Sequence, residues 1–494
     1  MTHRTTILLG ALAIIVLTLL AYRALPPRPF AADDFQWLLG ARTLSFDEMV
    51  RSAFDFNQSH FFRPLVWVVF WTQEKLFGIT PHGYHAVSLV LHLANAALVG
   101  LLVWRLARHS GQTALLAAAL VALHPAPFEA VVWVSAQSEL LATLWLLLML
   151  HAWVGQRVLL ASLFLALALL TKESAIIGLP LLVLLGLWHH PEVRGQGSGV
   201  RGQNTGRRLV RYLPPVLLTL AYLGLQLRVE RDNYLVEQGG YGIGPQLVLN
   251  PLRSLGLLVA PLPGTEHADA TWLPIIGALV LAGLLVWLLI RWRATPTNER
   301  LRVAVPLGAL AIMLLPTAPF SSPPDSRYLY LPVIGGALLV AALIGQHSHY
   351  DRTEDERRKT EVHISVFRLS SFVFRRNHQT ILDKVPATAT WAVVLVLFAA
   401  AVYAREARFA IATGADGSLF TVAAARCATQ PTDRVIITGA PIAEVHARAI
   451  LALACGDTIT PIFADTLEMA EANLERDSLV IGFPNGSAQI LREM

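Results

Sequence analysis

Two adjacent carboxylates, Asp33 and Asp34, stand in "AADDFQWLLG", shortly after the apolar run "ILLGALAIIVLTLLAY". Three further segments carry ionisable groups against apolar neighbours. "LHPAPFEAVVWVSAQSELL" holds His124, Glu129, Gln137 and Glu139; "LLTKESAIIGLP" holds Lys172 and Glu173; "SSPPDSRYLYLP" holds Asp325, Arg327, Tyr328 and Tyr330. Ionisable side chains at membrane depth cost roughly 2.5–3.5 kcal/mol each on insertion scales, so they mark functional sites by default. A carboxylate can take the proton of a hydroxyl while Lys172 and Arg327 hold a phosphate. Such chemistry suits a lipid phosphate whose tail lies in the bilayer. A fourth segment, "YHAVSLVLHLAN", puts His85, Ser88, His92 and Asn95 on one helix face at i, i+3, i+7 and i+10. That stripe reads first as interhelical hydrogen bonding and second as part of a substrate site.

The elements that must position these groups are membrane helices. The chain has 494 residues, 54% hydrophobic and 15% charged, with a mean hydropathy of +0.52; soluble domains carry about 25% charged residues. Apolar segments of spanning or near-spanning length fall at about 7–22, 83–104, 112–126, 133–154, 158–171, 174–189, 210–227, 272–290, 303–319, 328–345 and 387–404. The first lacks a small-residue cleavage signal and reads as a retained span. With the N-terminus cytoplasmic, Arg105, Arg108, Arg157, Arg207, Arg208, Arg291, Arg293 and the polar loop 346–386 all fall inside. The expectation is an all-α polytopic membrane domain over residues 1–404, with about eleven transmembrane helices and a first external loop at 23–82. Stretches 63–78 and 245–262 have both ends outside in this scheme and read as interfacial helices. Every one of the four ionisable segments then reaches the same external face.

Beyond residue 405 no spanning run remains, and acidic residues outnumber basic ones. "DRVIITGAP", "IAEVHARAILALAC", "TPIFAD", "TLEMAEANLE" and "DSLVIGFPNG" alternate strand and helix patterns, which predicts a small extracytoplasmic α/β domain over 405–494. Both cysteines of the chain, Cys427 and Cys455, lie there, and an oxidising compartment predicts a disulfide between them. Zinc, P-loop and dinucleotide motifs are missing from any credible context, and nothing points to nucleic acid.

In order and spacing, Asp33-Asp34, "FRPL", "GYHAVSLVLHLAN", "LHPAPFEAVVW", "TKES" and "RYLYLP" resemble the GT-C superfamily of polytopic glycosyltransferases, over roughly residues 30–335. The nearest likeness is to the membrane half of the O-mannosyltransferases that carry TPR repeats, and to their bacterial relatives. The resemblance implies transfer of a sugar, with inversion, from a polyprenyl-phosphate donor to an extracytoplasmic hydroxyl on protein, glycan or lipid. It implies a bacterial inner-membrane enzyme whose first-loop acid, Asp34 or Asp33, is catalytic. It places Lys172, Arg327 and Arg63 on the donor phosphate, and His85, His92, Asn95, His124, Glu129, Glu173 and Tyr328 around the substrate. A divalent metal, Mg or Mn, on Asp33 and Asp34 stays open, since members of the superfamily differ there. The chain departs from the pattern at Ser88, where Asn is usual, at Gln137, where Arg is usual, and at Pro127 in the His-Pro loop. No TPR repeat follows. The competing reading is a transporter or flippase of a lipid-linked or anionic substrate, which would show matching halves; no such internal symmetry is visible.

Overall fold

The protein was analysed as a computed structural model, which describes residues 3–55, 61–106, 110–189, 209–229, 240–261, 270–295, 300–358, 387–429, 434–456, 459–473 and 478–493. The Gly-rich stretch 191–208 and most of the expected cytoplasmic loop 346–386 lie outside these residues.

Helices α1 (His3–Ala21), α2 (Asp34–Thr43), α3 (Phe46–Ala53), α4 (Pro64–Phe77), α5 (Pro81–Leu106), α6 (Gly111–Leu123), α7 (Phe128–Val132), α8 (Gln137–Val154), α9 (Val158–Leu169) and α10 (Gly178–His189) form the first half. Helices α11 (Leu213–Val229), α12 (Gln246–Val259), α13 (Leu273–Ala294), α14 (Arg300–Leu314), α15 (Tyr330–Arg358) and α16 (Ala387–Ala412) follow. Every expected span coincides with a helix. Five helical segments among the described residues, at Arg4–Ala21, Pro81–Leu106, Val134–Val154, Leu273–Arg293 and Ser326–Ile344, are long and apolar enough to cross a membrane. Leu8, Leu12, Leu279, Leu289 and Ile290 stand exposed along the first and fourth of these. Apolar side chains in such continuous outward faces need hydrocarbon, not water, around them; the chain is an integral membrane protein.

Local signals set the helix ends. Pro64 and Pro81 occupy first-turn positions, where a missing N–H costs nothing. Ser45 and Glu48 close a reciprocal capping box on α3. Gly100 lets α5 and α6 approach, because a Cβ there would lie 3.0 Å from the Ala114 carbonyl oxygen. The two stretches set apart as interfacial are α4, which packs on α2 and α3, and α12, which packs along α13.

The expected boundary at 404/405 moves outward. Helix α16 runs unbroken to Ala412, because Arg405 is taken into the protein: Nη1 donates to the Pro125 carbonyl at 3.1 Å, and the guanidinium lies over Phe128. A charge that ends an apolar run in sequence is here a buried contact.

The C-terminal domain begins with α17 (Gly414–Cys427) and continues through β1 (Arg434–Thr438), α18 (Glu444–Cys455), β2 (Thr460–Ala464), α19 (Leu467–Ala472), β3 (Ser478–Gly482) and β4 (Gln489–Glu493). The sheet order is β2-β1-β3-β4, parallel except for β4. Strand alternation sorts its two faces. Ile436 and Val480 meet Ala470 under α19, while Val435, Ile437, Leu479 and Ile481 face Leu419, Ala447 and Ile450 of α17 and α18. A disulfide joins Cys427 to Cys455, tying α17 to α18. The second face does not stop at the domain: Phe30, Phe35, Leu38 and Phe70, from the segment between α1 and α5, belong to the same buried cluster. Phe35 lies 5.8 Å from Phe420 between ring centres.

Candidate active site

The two first-loop carboxylates have opposite surroundings. Asp34 is the first residue of α2 and is 1% exposed. Its Oδ1 accepts from the Ser135 amide at 2.6 Å and the Ser135 hydroxyl at 2.5 Å, and its Oδ2 accepts from the Ala31 amide at 3.0 Å. Burial pushes its pKa up to about 7 against the pull of those donors. Asp33, one residue earlier, leaves its side chain 49% exposed. Its Oδ1 meets His446 Nε2 of α18 at 3.0 Å. Between them and Ala31, Ala32 takes φ +47°, a left-handed conformation uncommon for a residue with a side chain, and its N–H donates to Asp416 Oδ2 at 2.9 Å. Gly417 fits there because a Cβ would come within 2.6 Å of Pro29.

From Asp34 a continuous set of contacts leads to three cations. Ser135 belongs to the turn after α7, where Trp133 Nε1 donates to the Ala31 carbonyl at 3.2 Å. The Arg327 guanidinium lies 4.6 Å from the Trp133 ring centre and 4.8 Å from that of Tyr328. It pairs with Asp325 at 2.7 Å and reaches Glu129 at 3.9 Å, while its own backbone N–H donates to Glu129 Oε2 at 3.2 Å. Lys172 Nζ also stands 5.0 Å from the Tyr328 ring centre and pairs with Glu139 at 2.6 Å, both side chains 4% exposed. The neighbouring Glu173 takes Arg63 in a two-point pair, Nε at 3.0 Å and Nη2 at 2.7 Å. Five segments distant in sequence thus meet: the first loop, "FRPL", the α7–α8 turn, "TKES" and "RYLYLP". Asp33, Asp34, Arg63, Glu129, Lys172, Glu173, Arg327 and Tyr328 all belong to this assembly.

The remaining sequence candidates lie elsewhere. His92 Nε2 donates to the Ala122 carbonyl at 3.0 Å and Nδ1 accepts from the Tyr330 hydroxyl at 2.8 Å; Asn95 Nδ2 donates to that hydroxyl at 3.3 Å and to the Leu140 carbonyl at 2.9 Å. His124 Nε2 donates to the Leu258 carbonyl and Nδ1 accepts from the Ala126 amide. One hydrogen-bond set satisfies both rings as neutral imidazoles, and each serves to tie helices. His85 sits between these groups and the first loop, with Nε2 3.2 Å from the Arg28 carbonyl.

Both Asp34 oxygens are already occupied by three donors in a buried setting, so Asp34 is poorly placed to ligate a divalent cation, and the nearby hard oxygen ligands are Asp33 and Asp416, where several are needed. Among the described residues no group of three His, Cys, Asp or Glu side chains is spaced to hold a metal ion.

Other contributors went unread in the sequence. Ser135 sits inside the quoted "WVSAQ" and carried a signal, since the turn between two polar positions faces the same loop. Glu139 was visible but unassigned. His446 and Asp416 carried none: they lie in a domain outside the resemblance.

No family model matches the chain, and no curated protein matches it. Among solved structures it is similar to ArnT from Cupriavidus metallidurans in the apo state, at 13% identity and a TM-score of 0.49, over 98% of this chain and 94% of that one. It is also similar to ArnT from the same organism bound to undecaprenyl phosphate, at 13% identity and a TM-score of 0.46 over the same shares. A third is the archaeal oligosaccharyltransferase AglB from Archaeoglobus fulgidus, in complex with an inhibitory peptide and a dolichol-phosphate, at 12% identity and a TM-score of 0.47. The match covers 93% of this chain and 65% of AglB, so the chain spans just under two thirds of that protein's length. Every one of these TM-scores is below 0.5, so the chemistry of the site rests on its own side chains.

Proposed function

We propose that the chain is a GT-C-type membrane glycosyltransferase that moves a sugar from a polyprenyl-phosphate donor to an extracytoplasmic acceptor hydroxyl, with inversion. The observation that carries this reading is the continuity from an accessible carboxylate, Asp33, through the buried Asp34–Ser135 contact, to the three cations Arg327, Lys172 and Arg63. A general base beside a cationic pocket at a membrane edge is what a lipid-phosphate leaving group and a hydroxyl nucleophile require together.

Asp33 acts as base because it is exposed; Asp34 is committed to holding the loop. The acceptor oxygen attacks the anomeric carbon, its proton passes to Asp33, and the bond from that carbon to the phosphate oxygen breaks. Polyprenyl phosphate leaves with the electron pair, its charge met by Arg327 and Lys172. Arg63, fixed by Glu173, adds positive potential behind them. His85, Glu129 and Tyr328 line the substrate side, whereas His92, Asn95 and His124 serve the packing of helices. The site faces the extracytoplasmic side of a bacterial inner membrane, with the N-terminus cytoplasmic and the arginine-rich connections inside.

The test is mass spectrometry of lipids that co-purify with the protein in native nanodiscs, wild type beside Arg327→Ala. The expected result is a polyprenyl-phosphate sugar retained by the wild type and lost from the variant. A bound ordinary phospholipid or small solute in place of such a lipid would overturn the reading in favour of transport.

A further inference from the structure

The C-terminal domain touches the proposed base directly. Helix α18 packs on α2, and its His446 is the side-chain partner of Asp33 among the described residues, Nε2 to Oδ1 at 3.0 Å. The side chain of Asp33 remains 49% exposed. The adjacent residue is held from the same domain, Asp416 Oδ2 accepting the Ala32 amide at 2.9 Å. These two bonds fall on consecutive residues at the left-handed kink, so both the backbone entering Asp33 and the side chain of Asp33 are set from α17 and α18. The apolar cluster shared by Phe30, Phe35 and Leu38 with Leu419, Ala447 and Ile450 makes this docking a packed interface, not a passing contact. The disulfide between Cys427 and Cys455 fixes the two helices that bear Asp416 and His446 to one another.

We infer that His446 is a positioning residue for Asp33, and that the C-terminal domain completes the active site by holding the base through it. The inference rests on Asp33 as the base. A carboxylate on an exposed loop has two free torsions and samples many orientations. One N–H bond to Oδ1 restricts the orientations the carboxylate can sample and leaves its other oxygen for the acceptor proton, which is worth rate through orientation. The charged and titratable groups facing the imidazole are Asp33, Asp34 and Asp416. The hydrogen bond to Asp33, with the field of Asp33, Asp416 and Asp34 behind it, holds the imidazole pKa above its ordinary value against the opposing effect of burial, in keeping with a lasting donor at Nε2. No proton need move through His446 for this role.

The experiment uses the full chain in nanodiscs as wild type, His446→Ala and His446→Gln, the glutamine amide reaching the place of Nε2. Asp33 is labelled with a carbodiimide and glycine ethyl ester and followed by peptide mass spectrometry, with Asp47 as internal reference. In parallel, release of mannose from polyprenyl-phosphate mannose is measured with water as acceptor. The expected outcome is several-fold faster labelling of Asp33 in His446→Ala, with kcat reduced at least tenfold and KM nearly unchanged, and recovery of both by His446→Gln. Wild-type labelling in His446→Ala overturns the inference, as does a glutamine variant no better than alanine. If labelling follows the expected order while the wild type releases no mannose, polyprenyl-phosphate mannose is ruled out as the donor used with water and the hold of His446 on Asp33 stands.

Discussion

Gln137 Nε2 donates to Ser88 Oγ at 3.0 Å. These are two of the positions where the chain departs from the enzymes its sequence resembles, so two of the departures are in contact and form one local change. Gln137 also donates to the Tyr84 carbonyl at 2.8 Å and accepts from Gln73 Nε2 at 2.9 Å, all within the buried junction of α4, α5 and α8. Leaving buried partners of this kind unpaired costs about 1–3 kcal/mol. Gln137→Leu should lower the free energy of unfolding by that amount, read from the shift in denaturant midpoint. Introducing Arg at 137 should be tolerated far better alongside Ser88→Asn than alone, and additive effects in that double-mutant cycle would show the two positions to be independent.

Asp33 and Asp34 should separate in function. Asp33→Asn is expected to cut turnover by roughly 10²–10⁴, the usual contribution of a positioned base, with the unfolding midpoint unchanged. Asp34→Asn should instead lower the midpoint, because an amide cannot accept from the Ala31 amide at the Oδ2 position while also serving Ser135. Full turnover in Asp33→Asn removes Asp33 as base.

Stability should carry the mark of Asp34 in its pH dependence. The native pKa is about 7 against an ordinary 3.8, so the folded state holds a proton that the unfolded chain has released. Its contribution is fully present below about pH 4 and is lost as the pH rises through about 7. Unfolding midpoints of the wild type should therefore fall across that window relative to those of Asp34→Asn. Parallel curves for the two proteins would contradict the buried, proton-holding carboxylate.

Lys172 and Glu139 form a pair with both side chains 4% exposed. Removing one partner strands the other charge in a dry place, at a cost of about 3–5 kcal/mol. Glu139→Gln should thus destabilise the protein strongly, and the double variant Lys172→Met, Glu139→Leu should regain much of that stability while failing to bind polyprenyl phosphate. Denaturant unfolding beside lipid retention distinguishes the two effects.

Reducing the Cys427–Cys455 bridge, which closes 28 residues, should destabilise the C-terminal domain by about 2–4 kcal/mol. Turnover should fall with it if the domain holds the base, and a paired Cys→Ser variant with wild-type turnover would place the bridge outside the catalytic assembly.

The sequence was most readable where a single physical signal governs. Hydropathy placed a helix at every expected span, and short apolar runs bounded by turn residues, "RVIIT" and "SLVIG", found the strands, which are buried on both faces. Arg405 shows where that reading stops: its charge ended an apolar run, while burial against Pro125 and Phe128 lets the helix continue. The resemblance brought together Asp33, Arg63, Glu129, Lys172 and Arg327, which do share one contact network. It could not rank the two aspartates, because exposure depends on Ser135, about a hundred residues away. The stripe of His85, Ser88, His92 and Asn95 was correctly one face of a helix, but a shared face does not say whether a substrate or a neighbouring helix meets it. For His92 the contacts present are the Tyr330 hydroxyl and the Ala122 carbonyl.

The bond between His446 and Asp33 spans 413 residues, which gives the molecule a clock as well as a shape. During synthesis the first loop leaves the ribosome early and waits at the membrane surface through the making of every later helix. His446 can meet Asp33 only once the residues between them have been made, so this bond closes long after the first loop has been synthesised.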